Sequence, residues 1–194
     1  GFQTLTPADH DGTQPPPAGA PGIFMRQNDD EAHAGAPVAA DDYLDMYAFV
    51  VDWANPANST LSAMTPITIT DFNSWLVNYT TFASIPQPGT SQRIDPIREA
   101  ILQRLVYRNF GAHEVLLGNF ITNEDPATSG SSVDGATRWF ELRRSGGDWS
   151  LFQEGTYGPG TAETHHFMGG IAMDGQGNIG LGYSKTDTAV PVYP

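Results

Sequence analysis

Several groups of side chains in this sequence have the types that bind ligands or move protons when a fold brings them together. His113 and Glu114 follow a stretch carrying Arg104 and Arg108, and Arg138, Glu141 and Arg143 stand close together with Trp139 beside them. A guanidinium grips a carboxylate through two parallel hydrogen bonds, so arginines on adjacent strands around a cavity would hold an acidic sugar. Glu114, Glu141, Tyr157 and His113 are then the candidates for acid, base or nucleophile, and Arg104, Arg108, Arg138, Trp139 and His165 for ligand binding. The alternative for each Arg and Glu is an ordinary ion pair between strands. His165 and His166 are adjacent, and neighbours on a strand point to opposite faces, so the two do not converge on one metal.

Asp9 and Asp11 alternate around the turn Asp9-His10-Asp11-Gly12 and are the candidate ligands for Ca²⁺, a cation that takes carboxylate and carbonyl oxygens. Asp174-Gly175-Gln176-Gly177-Asn178 lacks the alternating acids of a calcium loop and reads as a structural turn. Asn58 and Asn78 begin sequences of the N-glycosylation type. Nucleophile elbow, phosphate loop, dinucleotide fingerprint and zinc-protease helix are all missing from the sequence, which removes the best-marked hydrolase and nucleotide readings.

The elements that must position these residues sit in a chain of 194 residues with net charge −13. That charge argues against nucleic acid, whose affinity for proteins comes mainly from phosphates neutralised by Lys and Arg. The 15 Asp outnumber the 7 Glu, and a single Lys accompanies eight Arg. Soluble charge repulsion accounts for this, as would a carboxylate site for Ca²⁺. With no Cys there are no disulfides and no thiol chemistry. No apolar run is long enough for a membrane helix, so no membrane insertion is expected.

Residues 1–42 are rich in Pro, Gly, Ala and Asp and read as an extended segment docked on the rest. Residues 43–194 read as an all-β domain of antiparallel meander sheets. The stretch 43–53 is a strand covered on both faces, and 65–70 a second, shorter one. Residues 85–92 read as a loop. Asp95-Pro96 resembles a helix start, and Ile97, Ile101, Leu102 and Leu105 recur at helical spacing, so about two turns of helix are expected before a strand. Three hairpins follow, turning at 109–111, 145–147 and 175–177 around glycine.

YRNFGAHEVLLGNF at 107–120, RWFELRRSGGDWSLFQEGTYGP at 138–159 and HHFMGGIAMDGQGNIGLGYS at 165–184 resemble the C-terminal part of a family of large secreted bacterial proteins. PADHDGTQPPPAGAPGIF at 7–24, VDWANPANST at 51–60 and IPQPGTSQ at 85–92 continue the same pattern in order. The chain departs from it at His166-Phe167, where the family has Arg-Trp, and at Ser84, where it tends to have Cys. The resemblance implies a β-propeller-like, sialidase-style architecture and an extracellular or cell-surface location. It also implies that this chain is an incomplete or partner-completed piece, with the remainder of a larger secreted protein or a second copy covering its open edges. Sialidase-like enzymes use an arginine cluster with a Tyr/Glu pair, for which Tyr157, Glu154 and Glu141 are available. Three functions follow as expectations. The first is binding of a polysaccharide or surface glycan, with Trp139, Trp149 and Tyr157 stacking on sugar rings. The second is glycan cleavage, and the third is a structural piece completing a larger propeller or oligomer.

Overall fold

The computed structural model describes residues 3–33, 41–77, 81–125, 134–161 and 163–188, and among these the chain is all-β, with no α-helix. Among the described residues no helix is long and apolar enough to cross a membrane. One nine-stranded mixed sheet dominates. Its C-terminal half is a meander of β8 (Leu102–Asn109), β9 (Glu114–Asn123), β10 (Gly135–Arg144) and β11 (Ser150–Tyr157). Its N-terminal half runs β1 (Thr6–Asp11), β2 (Gly22–Asn28), β3 (Tyr43–Val50), then β4 (Thr60–Ala63) and the short β5 (Ile67–Thr68), both on β3. A parallel pairing of β1 with β8 joins the halves, Ala8 facing Leu105 and Asp11 facing Arg108. These nine strands thus form one wide, continuous sheet.

The sheet curls into a half-barrel, bringing β5 against β11. Glu154 on β11 accepts the Thr70 N–H at 2.9 Å and its hydroxyl at 2.6 Å, while Arg138 donates to the Thr70 carbonyl at 2.7 Å. The concave face encloses Met25, Leu44, Met46, Phe72, Leu105, Leu116, Phe120, Phe140 and Leu142. A separate hairpin, β12 (Thr164–Met173) and β13 (Ile179–Asp187), lies on the convex face of β8, β9 and β10, trapping Val106, Val115, Leu117, Ile171 and Met173. β9 is therefore buried along its whole length, which its uninterrupted apolar run VLLGNFI anticipates. A last pair, β6 (Ile85–Gln87) and β7 (Thr90–Ile94), turns at Gly89.

All three C-terminal hairpins expected from the sequence are present, with Gly111, Gly146 and Gly177 in the left-handed region their turns require. Three expectations are corrected. Residues 1–42 supply two strands in the middle of the sheet, held by backbone ladders on both sides. Residues 85–92, read as a loop, contribute the β6–β7 pair. The two turns of helix after Pro96 do not form. Asp95 Oδ1 accepts the Ile97 N–H at 2.8 Å in a local turn, Ile97 takes φ 55°, and Ile101 and Leu105 reach the concave core from extended backbone. Tertiary burial of Ile101, Leu102 and Leu105 is available from either period, and sheet pairing decides between them. Residues 78–80, which hold the second glycosylation-type sequence, lie outside the described residues.

Candidate functional site

At one end of the half-barrel the C-terminus of β8 turns into β9, β10 ends, and the proline-rich connection from β1 to β2 crosses over. Glu114 opens β9 opposite Arg144, the last residue of β10. Arg144 grips Glu114 with two hydrogen bonds, Nε to Oε2 at 2.8 Å and Nη2 to Oε1 at 2.7 Å. Tyr107 on β8 donates its hydroxyl to the same carboxylate at 2.5 Å. The guanidinium lies over the Trp149 ring at 4.7 Å, and Trp149 meets Tyr107 edge-on. His10 on β1 tilts against Tyr107 from the other side and donates to the Gln14 carbonyl at 2.9 Å.

These groups flank two hollows. A groove of about 460 Å³ is lined by Gln14, Pro15, Asn109, His113, Glu114 and Arg144. Behind it a small cavity of about 90 Å³ is lined by His10, Pro16, Pro21, Tyr107 and Arg144. The proline-rich connection, which has no hydrophobic period of its own, is pinned to the groove because Asn109 donates to the Pro15 carbonyl at 2.7 Å. His113 stacks on Phe110 with centroids 5.0 Å apart, presenting its ring to the groove.

The electrostatics of the cluster oppose nucleophilic chemistry. Burial, the hydrogen bond to Glu114 and that residue's charge all push the Tyr107 hydroxyl well above its ordinary range. Burial pushes the Glu114 carboxyl up, but the hydrogen bonds from Arg144 and Tyr107 outweigh it and leave the group below its usual value. A tyrosine nucleophile needs its neighbouring carboxylate to accept the proton, and both shifts run against that transfer. The arrangement suits a rigid, neutralised wall.

Of the residues singled out from the sequence, the structure brings His113 and Glu114 together in this groove and distributes the rest. Arg104 pairs with Asp9 and, at 3.1 Å, with Asp11, and Arg108 lies 4.0 Å from Asp11. The two carboxylates proposed as calcium ligands thus serve the two arginines proposed as sugar ligands. Arg138 binds Glu154 at 2.5 Å at the far end of β10. Glu141 is fully buried, accepting from Arg143 at 2.6 Å and from Gln153 at 2.6 Å. Trp149 is core, and Trp139 is half-buried against the convex cluster. His165 is buried, its Nδ1 accepting the Gly135 N–H at 3.3 Å, and burial holds its basicity below normal. Tyr157 is 49% exposed and stacks on His166, which also touches Tyr183.

Tyr107 and Arg144 escaped the sequence reading although both lie in quoted motifs. Their signal is register alone: Arg144 falls opposite Glu114 only once the β9–β10 pairing is fixed. A second cluster was also missed. Carboxylate oxygens of Asp29, Asp30, Glu31 and Asp42, where β2 leads toward β3, all lie within 4.8 Å of one another, a donor set of the kind hard divalent cations accept. Asp42 accepts the N–H groups of Asp30 and Phe72, and Asp29 those of Ala32 and Ser74. Burial raises Asp42 to about 7, and burial with the neighbouring acids raises Glu31 to about 7.

Comparison with protein-family models, with curated proteins and with solved structures finds no match.

Proposed function

We propose that this chain is a glycan-binding module of a secreted bacterial protein and that the groove beside Glu114 and Arg144 receives a neutral sugar chain. The observation that carries the reading is the groove's lining: amide, imidazole and proline surfaces from Gln14, Asn109, His113 and Pro15 around a cation already neutralised by Glu114. A ligand there meets hydrogen-bonding groups and apolar ring surface with little net charge, which is what a polyhydroxyl ring offers in return. Seven of the eight arginines face a carboxylate within 4.0 Å, and Arg93 donates to the Ser84 carbonyl. That commitment favours neutral over acidic sugars. Extracellular placement and membership of a larger propeller-bearing protein rest on the sequence resemblance.

The test is thermal stability against a panel of neutral and acidic polysaccharides, because a ligand that binds only the folded state raises the midpoint by mass action. A shift with a neutral polymer that His113→Ala abolishes, with the unliganded midpoint kept, supports the reading. No shift with any polymer removes it in favour of the structural role. Glycan cleavage in the same groove would appear as new reducing ends that Glu114→Gln eliminates. The role of completing a larger assembly draws on β4 and β11, which have no further ladder partner among the described residues. It predicts a mass that rises with concentration.

A further inference from the structure

Trp53 is 87% exposed, far more than any other large apolar residue among those described, where an indole normally finds cover. Its loop is fixed. Asp52 accepts the N–H groups of Ala54 at 3.0 Å and Asn55 at 2.8 Å, its own N–H donates to the Ser59 hydroxyl at 3.1 Å, and residues 56–58 form a 3₁₀ turn opened by proline. Those hydrogen bonds hold the Asp52 carboxyl below its usual range. A loop tied down in this way holds the indole at one place on the surface, so binding there need not order the backbone that carries it.

The loop sits at the same end of the half-barrel as the Glu114 groove. β3 ends at Val50 and β4 starts at Thr60, while Gly22, which opens β2, pairs with Phe49 near the end of β3. Gly22 is also where the proline-rich connection arrives after passing the groove. From β9 to β3 is four strand spacings, about 19 Å along the sheet. The loop that carries Trp53 holds one carboxylate, Asp52, and the amide and hydroxyl residues Asn55, Asn58, Ser59 and Thr60, with no Lys or Arg in it. It offers an anionic partner no counter-charge of its own, whereas the face of a neutral pyranose ring meets an indole beside hydrogen-bonding side chains.

We infer that Trp53 is a second subsite for the same ligand, so that one neutral glycan chain crosses the proline-rich connection from the groove to the indole. This rests on the groove being a sugar site, and it makes the ligand a polymer or long oligosaccharide in place of a terminal sugar. The two subsites then act as linked sites on one molecule, and the second adds affinity only for chains long enough to span them.

The experiment is titration calorimetry of the intact chain with mannan, xylan and mixed-linkage glucan, and with a disaccharide and a hexasaccharide of whichever polymer binds, for the parent, Trp53→Ala and His113→Ala. The expected result is that Trp53→Ala weakens hexasaccharide and polymer binding about tenfold while leaving the disaccharide unchanged, whereas His113→Ala weakens all three. Hexasaccharide and polymer affinities equal to the parent's in Trp53→Ala overturn the second subsite and leave the groove reading intact. Loss of disaccharide binding in Trp53→Ala also overturns it, since the indole would then belong to the primary site. Failure of the parent to bind any of the probes overturns the groove reading itself. Sedimentation of the parent and of Trp53→Ala at rising concentration supplies a separate readout, and a dimer that only the parent forms assigns the indole to a second copy of the chain.

Discussion

Arg144 holds together three groups that would each be costly alone. Replacing it with Met leaves a buried Glu114 carboxylate with only the Tyr107 hydroxyl, and an unpaired group of this kind costs about 2 kcal/mol. Urea denaturation of Arg144→Met, Glu114→Gln and the double variant should therefore give a double-mutant cost well below the sum of the two singles. Additive costs would show that the pair is not coupled. A different residue-scale effect is expected at Ile97, a β-branched side chain with φ 55° and 46% exposure. Left-handed backbone costs an L-residue about 1–2 kcal/mol, so Ile97→Gly should be more stable than Ile97→Ala by about 1 kcal/mol, the reverse of the usual ranking. Equal melting points for the two would refute the strain.

At the scale of elements, the middle of β9 has no room to spare. A Cβ on Gly118 would lie 2.5 Å from Phe140 Cζ and 3.1 Å from Ile101 Cγ2. Gly118→Ala should cost about 2 kcal/mol by overpacking, read as a lower denaturation midpoint with an unchanged slope. The C-terminal hairpins were legible because each signal is local: period-two runs such as 137–144 and a glycine turn between them. What was not legible depended on partners far along the chain. β1 looks like a loop in TPADHD because its burial alternates weakly, and it is a strand because β2 and β8 supply ladders on its two sides. The helix expected after Pro96 failed because Ile101 and Leu105 fit both periods and β9 offered a ladder from Leu102 onward. For the site, His113 and Glu114 could be named from residue type, but their setting against Arg144 depended on register. Trp53 carried no spacing signal, since its property is exposure.

For the whole molecule the governing quantity is charge. Asp42 and Glu31 have folded values near 7, above the ordinary carboxyl range, so between about pH 4 and 7 the folded state binds more protons than the unfolded one. Stability from these groups is therefore fully present below about pH 4 and is lost progressively as pH rises to about 7. The net charge of −13 adds self-repulsion over the same range. Buried His165 and His166, whose basicity burial lowers, act in the opposite sense below about pH 6.5, so the contributions are separated by mutation: the midpoint at pH 5.5 minus that at pH 8 should be smaller in Asp42→Asn than in the parent, and an unchanged difference would contradict the Asp42 contribution.

The parallel pairing of β1 with β8 has a consequence for how the chain is made. The partner of β1 lies about a hundred positions downstream. At synthesis rates of roughly 5–20 residues per second, the first strand waits on the order of five to twenty seconds after leaving the ribosome before its second neighbour exists. During that interval β2 can cover one side of it, while the other side is an open edge able to accept a foreign strand. The meander from β8 to β11 needs only local closures and can assemble quickly, so it is the docking template on which the waiting N-terminal half completes the fold. Expression yield should accordingly respond to chaperone supply and growth temperature more strongly than equilibrium stability would suggest.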